Sequence, residues 1–156
     1  MMIRHLLAAI GVGLLAGCSQ APVSADPAAV EAEVAALLDE WAVSLSEGRL
    51  DDFKALYANA DGFLWVERGQ FLYTSADAIG QGVDQIAASG AVVTNALSDV
   101  DIVPMGADFA AFSATVQSTI TADTFSVDFG GVMTGIAIRE DAKWKLYRGH
   151  LSEPSS

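Results

Sequence analysis

The stretch that decides the fold is Gly131-Val-Met-Thr-Gly-Ile-Ala-Ile-Arg139, followed by Glu140-Asp-Ala142 and then by Lys143-Trp-Lys-Leu-Tyr-Arg-Gly-His-Leu-Ser152. Both flanks are rich in β-branched and aromatic residues, which favour strands. A short polar segment between two such runs predicts a β-hairpin. We therefore expect this hairpin to close an antiparallel sheet that the upstream chain covers.

The segments before this hairpin also have strand character. Residues 91–103, 109–121 and 124–139 alternate frequently and are separated by turn-forming residues. Long consecutive strands joined by tight turns predict an antiparallel meander. Within it, Gly130 and Gly131 predict a bulge or bend where the sheet curls.

The N-terminal half is predicted to hold helices. Asp26-Pro27 is a typical helix start, because Asp caps free N–H groups and Pro fits the first helical position. Further helices are expected at 50–57 and from Ser75 to about Gly90, with an aromatic hairpin at 63–73 between them. The first helix carries one apolar stripe: Val30, Val34, Leu37, Leu38, Trp41 and Leu45.

The closing strand Trp144-Lys-Leu-Tyr-Arg-Gly-His-Leu-Ser152, after a Gly-rich strand and an acidic turn, resembles the closing hairpin of SnoaL-like, ketosteroid isomerase-like domains of the nuclear transport factor 2-like superfamily. The hairpin at 63–73 is similar to the first hairpin of that family. The resemblance implies an α+β cone of cystatin-like architecture, in which a strongly curved antiparallel sheet wraps over about three N-terminal helices and leaves a pocket. His150 matches a histidine that recurs near the end of this strand.

The N-terminus has the plan of a signal peptide. Arg4 and His5 precede an apolar run at 6–16 that is too short to span a membrane. Leu15-Ala-Gly-Cys18 then resembles a bacterial lipoprotein signal, which implies removal of residues 1–17 and acylation of Cys18; a buried thiol or an unlipidated secretory signal are the alternatives. Ser19 after the cysteine implies the outer membrane, facing the periplasm. A tether at 18–25, a domain at 26–152 and a tail at 153–156 follow.

Composition limits the partners. The chain of 156 residues suits one domain, and its net charge of −12 disfavours nucleic acid, whose phosphates an acidic surface repels. The single cysteine excludes an intrachain disulfide. The spacing of His, Cys and Asp residues fits no metal site, and Gly80-Gln-Gly82 is not a dinucleotide fingerprint, so no metal and no cofactor are predicted.

The candidate site lies at the open end of the predicted cone. Two-residue alternation in the last strand places Arg148 and His150 on the face of Trp144 and Leu146, so we expect a cation and a titratable imidazole at the pocket mouth. The alternative is that both bond neighbouring groups at the rim and that the aromatic residues are simply core. The candidate ligand-binding residues are Trp41, Tyr57, Trp65, Tyr73, Arg148 and His150.

Three functions remain open. The first is an envelope lipoprotein, anchored in the membrane through Cys18, whose domain binds a small, partly apolar molecule. The second is a proton-transfer isomerase, lyase or cyclase with His150 as the candidate catalytic residue. The third is a non-catalytic assembly module that forms a homodimer through the outer sheet face, where Thr115, Gln117 and Thr119 alternate.

Catalysis requires a suitably placed base, and the sequence offers three candidates. Asp61, Glu67 and Asp123 each lie at a predicted turn or strand end, where a solvated carboxylate is expected. The Tyr-Asp-Asp constellation of ketosteroid isomerase has no residue-by-residue match. Whether the protein is an enzyme therefore stays open.

Overall fold

A computed structural model describes residues 26–67, 69 and 71–152. The predicted signal peptide at 1–17, the predicted lipidation site Cys18 with its tether to residue 25, and the tail at 153–156 lie outside the described residues. Within the described part, no helix is long and apolar enough to cross a membrane.

The described part of the chain forms three helices and six strands. The helices lie in the N-terminal half and a curved, open sheet follows, which confirms the predicted α+β class. The elements are α1 (Pro27–Ser44), α2 (Leu50–Ala55), β1 (Leu64–Glu67), β2 (Phe71–Tyr73), α3 (Ala76–Ala88), β3 (Val92–Pro104), β4 (Phe109–Ala122), β5 (Phe125–Glu140) and β6 (Lys143–Ser152).

Both long helices begin where their sequences predict. The Asp26 carboxylate accepts a hydrogen bond from the Ala28 backbone N–H at 3.1 Å, and Pro27 occupies the first helical position. The Ser75 hydroxyl accepts from the Ala78 N–H at 3.2 Å at the start of α3. Each bond satisfies an N–H group that has no partner within its helix. The predicted apolar stripe of α1 is buried from Val30 to Trp41, and Leu45 is partly buried.

The sheet has the order β2-β1-β6-β5-β4-β3. Strands β3 to β6 form the predicted antiparallel meander. The first hairpin joins the β6 edge of this meander through a parallel pairing. Strand β1 runs parallel to β6 and pairs Leu64 with Arg148. Two side chains of β6 hold the loop before β1: the Tyr147 hydroxyl donates to the Asp61 carbonyl at 2.6 Å and Arg148 Nε donates to the Gly62 carbonyl at 2.8 Å.

The bulge predicted at Gly130 and Gly131 is wrong. These residues stay in regular register with Gln117 and Val116, and the register shifts elsewhere, at Ser98–Asp101 of β3 and between β5 and β6. The glycines of β5 provide close approach instead. A Cβ on Gly135, for example, would lie 2.5 Å from Cζ of Phe112 on the neighbouring strand.

The shift between β5 and β6 changes which side chains face the interior. Ala137 pairs with Leu146 and the preceding Ile136 pairs with Arg148, so Tyr147 is an extra residue on β6. An extra residue reverses the alternation of all side chains that follow it. The interior positions after Leu146 are therefore Gly149 and the buried Leu151.

Arg148 and His150 consequently point to the outer face, where both are exposed. The prediction that they share the core face with Trp144 and Leu146 is wrong. Its premise of unbroken alternation fails at Tyr147, although Trp144 and Leu146 are themselves buried as expected.

Gly149 gives Trp65 the room to lie flat against β6. The Trp65 side chain is fully buried, and a Cβ on Gly149 would lie 2.7 Å from its Cη2 atom and closer still to Cζ3 and Cε3. The contact is side by side, because Trp65 and Gly149 are paired across the parallel β1–β6 ladder. Any side chain at this position would displace the indole.

We expect Gly149→Ala to lower the free energy of unfolding by at least about 2 kcal/mol, because the new methyl group overlaps a rigid buried ring. Urea denaturation followed by circular dichroism measures this. Gly130→Ala is the matched control in the same sheet: its methyl group meets the movable Gln117 amide at 2.8 Å, so a loss below about 1 kcal/mol is expected. Equal losses in the two variants would contradict the packing role of Gly149.

Candidate functional site

A cavity of about 450 Å³ lies between the helices and the concave side of the sheet. Its walls come from α1, α2, α3 and all six of the described strands. A volume of this size suits a small organic molecule. Apolar side chains predominate in the lining, among them Trp41, Phe53, Ile79, Val83, Ile120 and Leu151.

Tyr57 is the centre of the aromatic wall. Its ring contacts Phe53 and Trp65 edge-on, with centroids 5.5 and 5.4 Å apart. Its hydroxyl accepts a hydrogen bond of 2.8 Å from the indole N–H of Trp41. Because this bond uses a lone pair, the hydroxyl proton of Tyr57 can be donated to a group in the cavity.

Glu67 supplies a carboxylate to the same cavity. It ends β1, is half-buried, and accepts a hydrogen bond of 3.1 Å from the indole N–H of Trp65. Glu67 was expected to be a solvated strand-end residue. The structure shows it half-buried, at the wall of a cavity that residues of α3 and β2 also line.

The two tyrosines of the cavity remain protonated at neutral pH. Burial raises the pKa of Tyr57 well above its ordinary value, and the Glu67 carboxylate raises it further, although the bond from Trp41 opposes the shift. Burial, followed by the charge of Glu67, also raises the pKa of Tyr73. A protonated phenol near a carboxylate gives the cavity a hydrogen-bond donor and an acceptor at one end.

A second polar pair comes from β3 and β4. The Ser118 hydroxyl, only 2 % exposed as a residue, donates to Asn95 Oδ1 at 2.7 Å, and both residues line the cavity. The bond fixes the Asn95 amide so that its NH₂ group is the remaining donor. The sequence contains a signal for this pair, since Ser118 continues the inward alternation of Ala114 and Val116 on β4.

The predicted site residues separate into three groups. Trp41, Tyr57 and Tyr73 line the cavity. Trp65 packs behind Tyr57 and reaches the cavity through its bond to Glu67. Arg148 and His150 lie on the outside of β6, where Arg148 binds the Gly62 carbonyl and His150 pairs with Thr134 and Val66 in the ladders.

The arrangement can bind a molecule with one polar end and can accept a proton from it. Glu67 is an acceptor or a base, and Tyr57 and Tyr73 are donors that can stabilise a developing oxyanion. Over the described ranges, no group of three or more His, Cys, Asp or Glu side chains is close enough to hold a metal ion.

Comparisons with known proteins agree with this architecture. The profile of the SnoaL-like domain family matches residues 34–156. Comparison with curated proteins gives no significant match. Among solved structures, a candidate scytalone dehydratase from Novosphingobium aromaticivorans superposes with a TM-score of 0.72 at 15% identity, over 82% of this chain and 86% of that one.

Two further structures show the same fold. A candidate dehydratase of the NTF2-like family from Streptomyces avermitilis has a TM-score of 0.73 at 17% identity, over 84% of this chain and 100% of that one. A hexachlorocyclohexane dehydrochlorinase (LinA) has a TM-score of 0.69 at 13% identity, over 82% of this chain and 87% of that one. The resemblance of the closing hairpin is thereby confirmed, and the chain belongs to the SnoaL-like domain family.

Proposed function

We propose that the domain binds a small, neutral, partly apolar molecule in the cavity. The observation that carries this proposal is the distribution of polar groups: an apolar chamber of about 450 Å³ has a carboxylate and two protonated phenols at one end and the Asn95–Ser118 pair on another wall. Few, well-placed polar groups in an apolar chamber are typical of small-molecule sites.

The charge of the lining favours a neutral ligand. Among the lining residues that the structure describes, none is a lysine, arginine or histidine, whereas Glu67 brings a carboxylate. Burying an anionic group against this largely apolar lining would cost its desolvation. A hydroxyl or carbonyl group instead finds an acceptor in Glu67 and donors in Tyr57, Tyr73 and Asn95.

We place this function in the cell envelope. The signal-like sequence ending at Cys18 supports a lipid anchor, and Ser19 supports the outer membrane. Pairing of two copies through the outer sheet face stays a prediction. On that face, the Thr115 and Thr119 hydroxyls bond to Asp99 and Asp128 within the same sheet.

We expect Gly82→Leu to weaken binding of the neutral fluorescent probe N-phenyl-1-naphthylamine by about tenfold or more, because a side chain at this position fills space beside Tyr73 at the cavity wall. A Cβ at Gly82 lies 3.5 Å from the Tyr73 hydroxyl, an ordinary contact. The melting temperature should not fall, since glycine inside a helix is itself destabilising by about 1 kcal/mol.

Fluorescence titration and thermal denaturation measure the two effects. Gln81→Leu is the matched control, because it adds the same side chain to an exposed, non-lining position of α3. If Gly82→Leu binds the probe as tightly as the wild type, the ligand site lies elsewhere.

A second candidate function is proton transfer with Glu67 as the base. Glu67 takes the place of His150 as the candidate base, because His150 lies outside the cavity. The geometry favours it because Glu67, Tyr57 and Tyr73 line the same cavity, so that a carboxylate lies near two phenol donors. Structures of this fold named as dehydratases and as a dehydrochlorinase lend it further support.

We expect the protein to exchange the α-protons of cyclohexanone for deuterium in D₂O, and Glu67→Gln to slow this exchange by about 10²–10⁴-fold, the usual contribution of a general base. Proton NMR follows the loss of signal. Glu31→Gln, at an exposed position of α1, should exchange at the wild-type rate. A Glu67→Gln rate equal to that of the control would exclude Glu67 as the base and leave ligand binding unaffected as a proposal.

The anchor has a separate test. Cys18→Ser should abolish incorporation of labelled palmitate, because the thiol is the acylation site. Metabolic labelling of cells expressing the full chain measures this. Unchanged labelling in Cys18→Ser would rule out acylation at this position.

A further inference from the structure

A second cavity of about 310 Å³ adjoins the first. It lies where the C-terminal ends of α1 and α3 meet the start of β3. Its own walls include Leu50, Ala87, Ala91 and Val92, together with Gly48 and Gly90. Ala87 and Val92 are exposed, so this cavity is open to solvent along one side.

The two cavities share a partition that is one residue thick. Leu45, Val83, Ile86 and Val93 line both of them. Val83 and Val93 are buried, whereas Leu45 is half-buried and Ile86 is 37% exposed. All four are aliphatic, and Leu45 and Ile86 are the less confined side chains whose rotation could open a passage between the chambers.

Among its described lining residues, the second cavity offers its occupant no free hydroxyl. Its serine, Ser46, donates its hydroxyl to the Val43 carbonyl at 2.8 Å. The Gly90 N–H is likewise used in a bond of 3.0 Å to the Ala87 carbonyl. An occupant therefore gains binding free energy chiefly by burying apolar surface. In the first cavity, by contrast, Glu67 and Asn95 also offer hydrogen bonds.

We propose that the ligand is an elongated neutral amphiphile, with a hydroxyl or carbonyl head in the first cavity and an unbranched apolar tail in the second. The head bonds to the Glu67 and Tyr73 groups, and the tail passes the aliphatic partition. This inference rests on the proposed binding function and extends it from a class of site to a class of ligand.

The proposal predicts a dependence on tail length. Each methylene group that leaves water should tighten binding about fourfold, as long as there is apolar space to receive it. A series of butanol, octanol and dodecanol tests this, because butanol needs only the first cavity and dodecanol extends furthest. Their neutral hydroxyl suits the polar groups of the first cavity.

The experiment measures displacement of N-phenyl-1-naphthylamine from the full chain carrying Cys18→Ser, purified without detergent so that no other alkyl chain competes. Ala87→Phe adds a ring at the wall of the second cavity, since Ala87 lines that cavity only. Ala88→Phe is the matched control: it adds the same ring to the next residue, which is exposed and lines neither cavity.

We expect affinity to rise from butanol to dodecanol in the wild type and in Ala88→Phe. In Ala87→Phe, dodecanol should bind at least about tenfold more weakly, while butanol binds as in the wild type. Equal dodecanol affinity in Ala87→Phe and Ala88→Phe, or a wild-type affinity that stops rising at butanol, would overturn the two-chamber inference and leave the first cavity as the binding site. If no alkanol displaces the probe from the wild type, both this inference and the proposed binding of neutral amphiphiles fail.

Discussion

The structure depends on how a buried phenol is accommodated at Tyr57. A hydroxyl removed from water is costly unless it is hydrogen-bonded, and the Trp41 indole N–H meets this need from α1. The backbone on either side is fixed to the last strand, because Leu146 N donates to Leu56 O at 2.7 Å and Ala58 N donates to Leu146 O at 2.9 Å. One residue thus joins α1, α2 and β6 and also forms a wall of the cavity. The site is therefore part of the core rather than an addition to it.

Local signals in the sequence are sufficient to predict the helices and the long strands. Helix caps at Asp26 and Ser75, the apolar stripe of α1 and the alternation of the long strands depend on neighbouring residues only. The positions of the bulges depend on the facing strand, so local sequence does not predict them. Gly130 suggests a bulge locally but pairs regularly, whereas Tyr147 has no unusual local signal and is the extra residue. That single insertion moved Arg148 and His150 out of the predicted site.

The polar groups of the cavity were harder to predict than its walls. Trp41, Tyr57 and Tyr73 are large aromatic residues, and such residues tend to be buried wherever a small domain has a core. Glu67 resembles an ordinary strand end in sequence, and its partial burial is due to residues that arrive later in the chain. Asn95 and Ser118 become neighbours only through the β3–β4 register, which pairs these two residues directly.

The parallel pairing of β1 with β6 bears on the order in which the protein folds. The bond from Arg148 to the Gly62 carbonyl joins residues 86 positions apart, so the first hairpin acquires its sheet neighbour only after nearly the whole domain has been made. Until then, Phe63 and Trp65 lack the surface that buries them. Contacts of such long separation slow folding and leave apolar strands open to wrong association. During biosynthesis, strand β1, which contributes Glu67 to the cavity, is thus made first among the strands and acquires its pairing with β6 among the last.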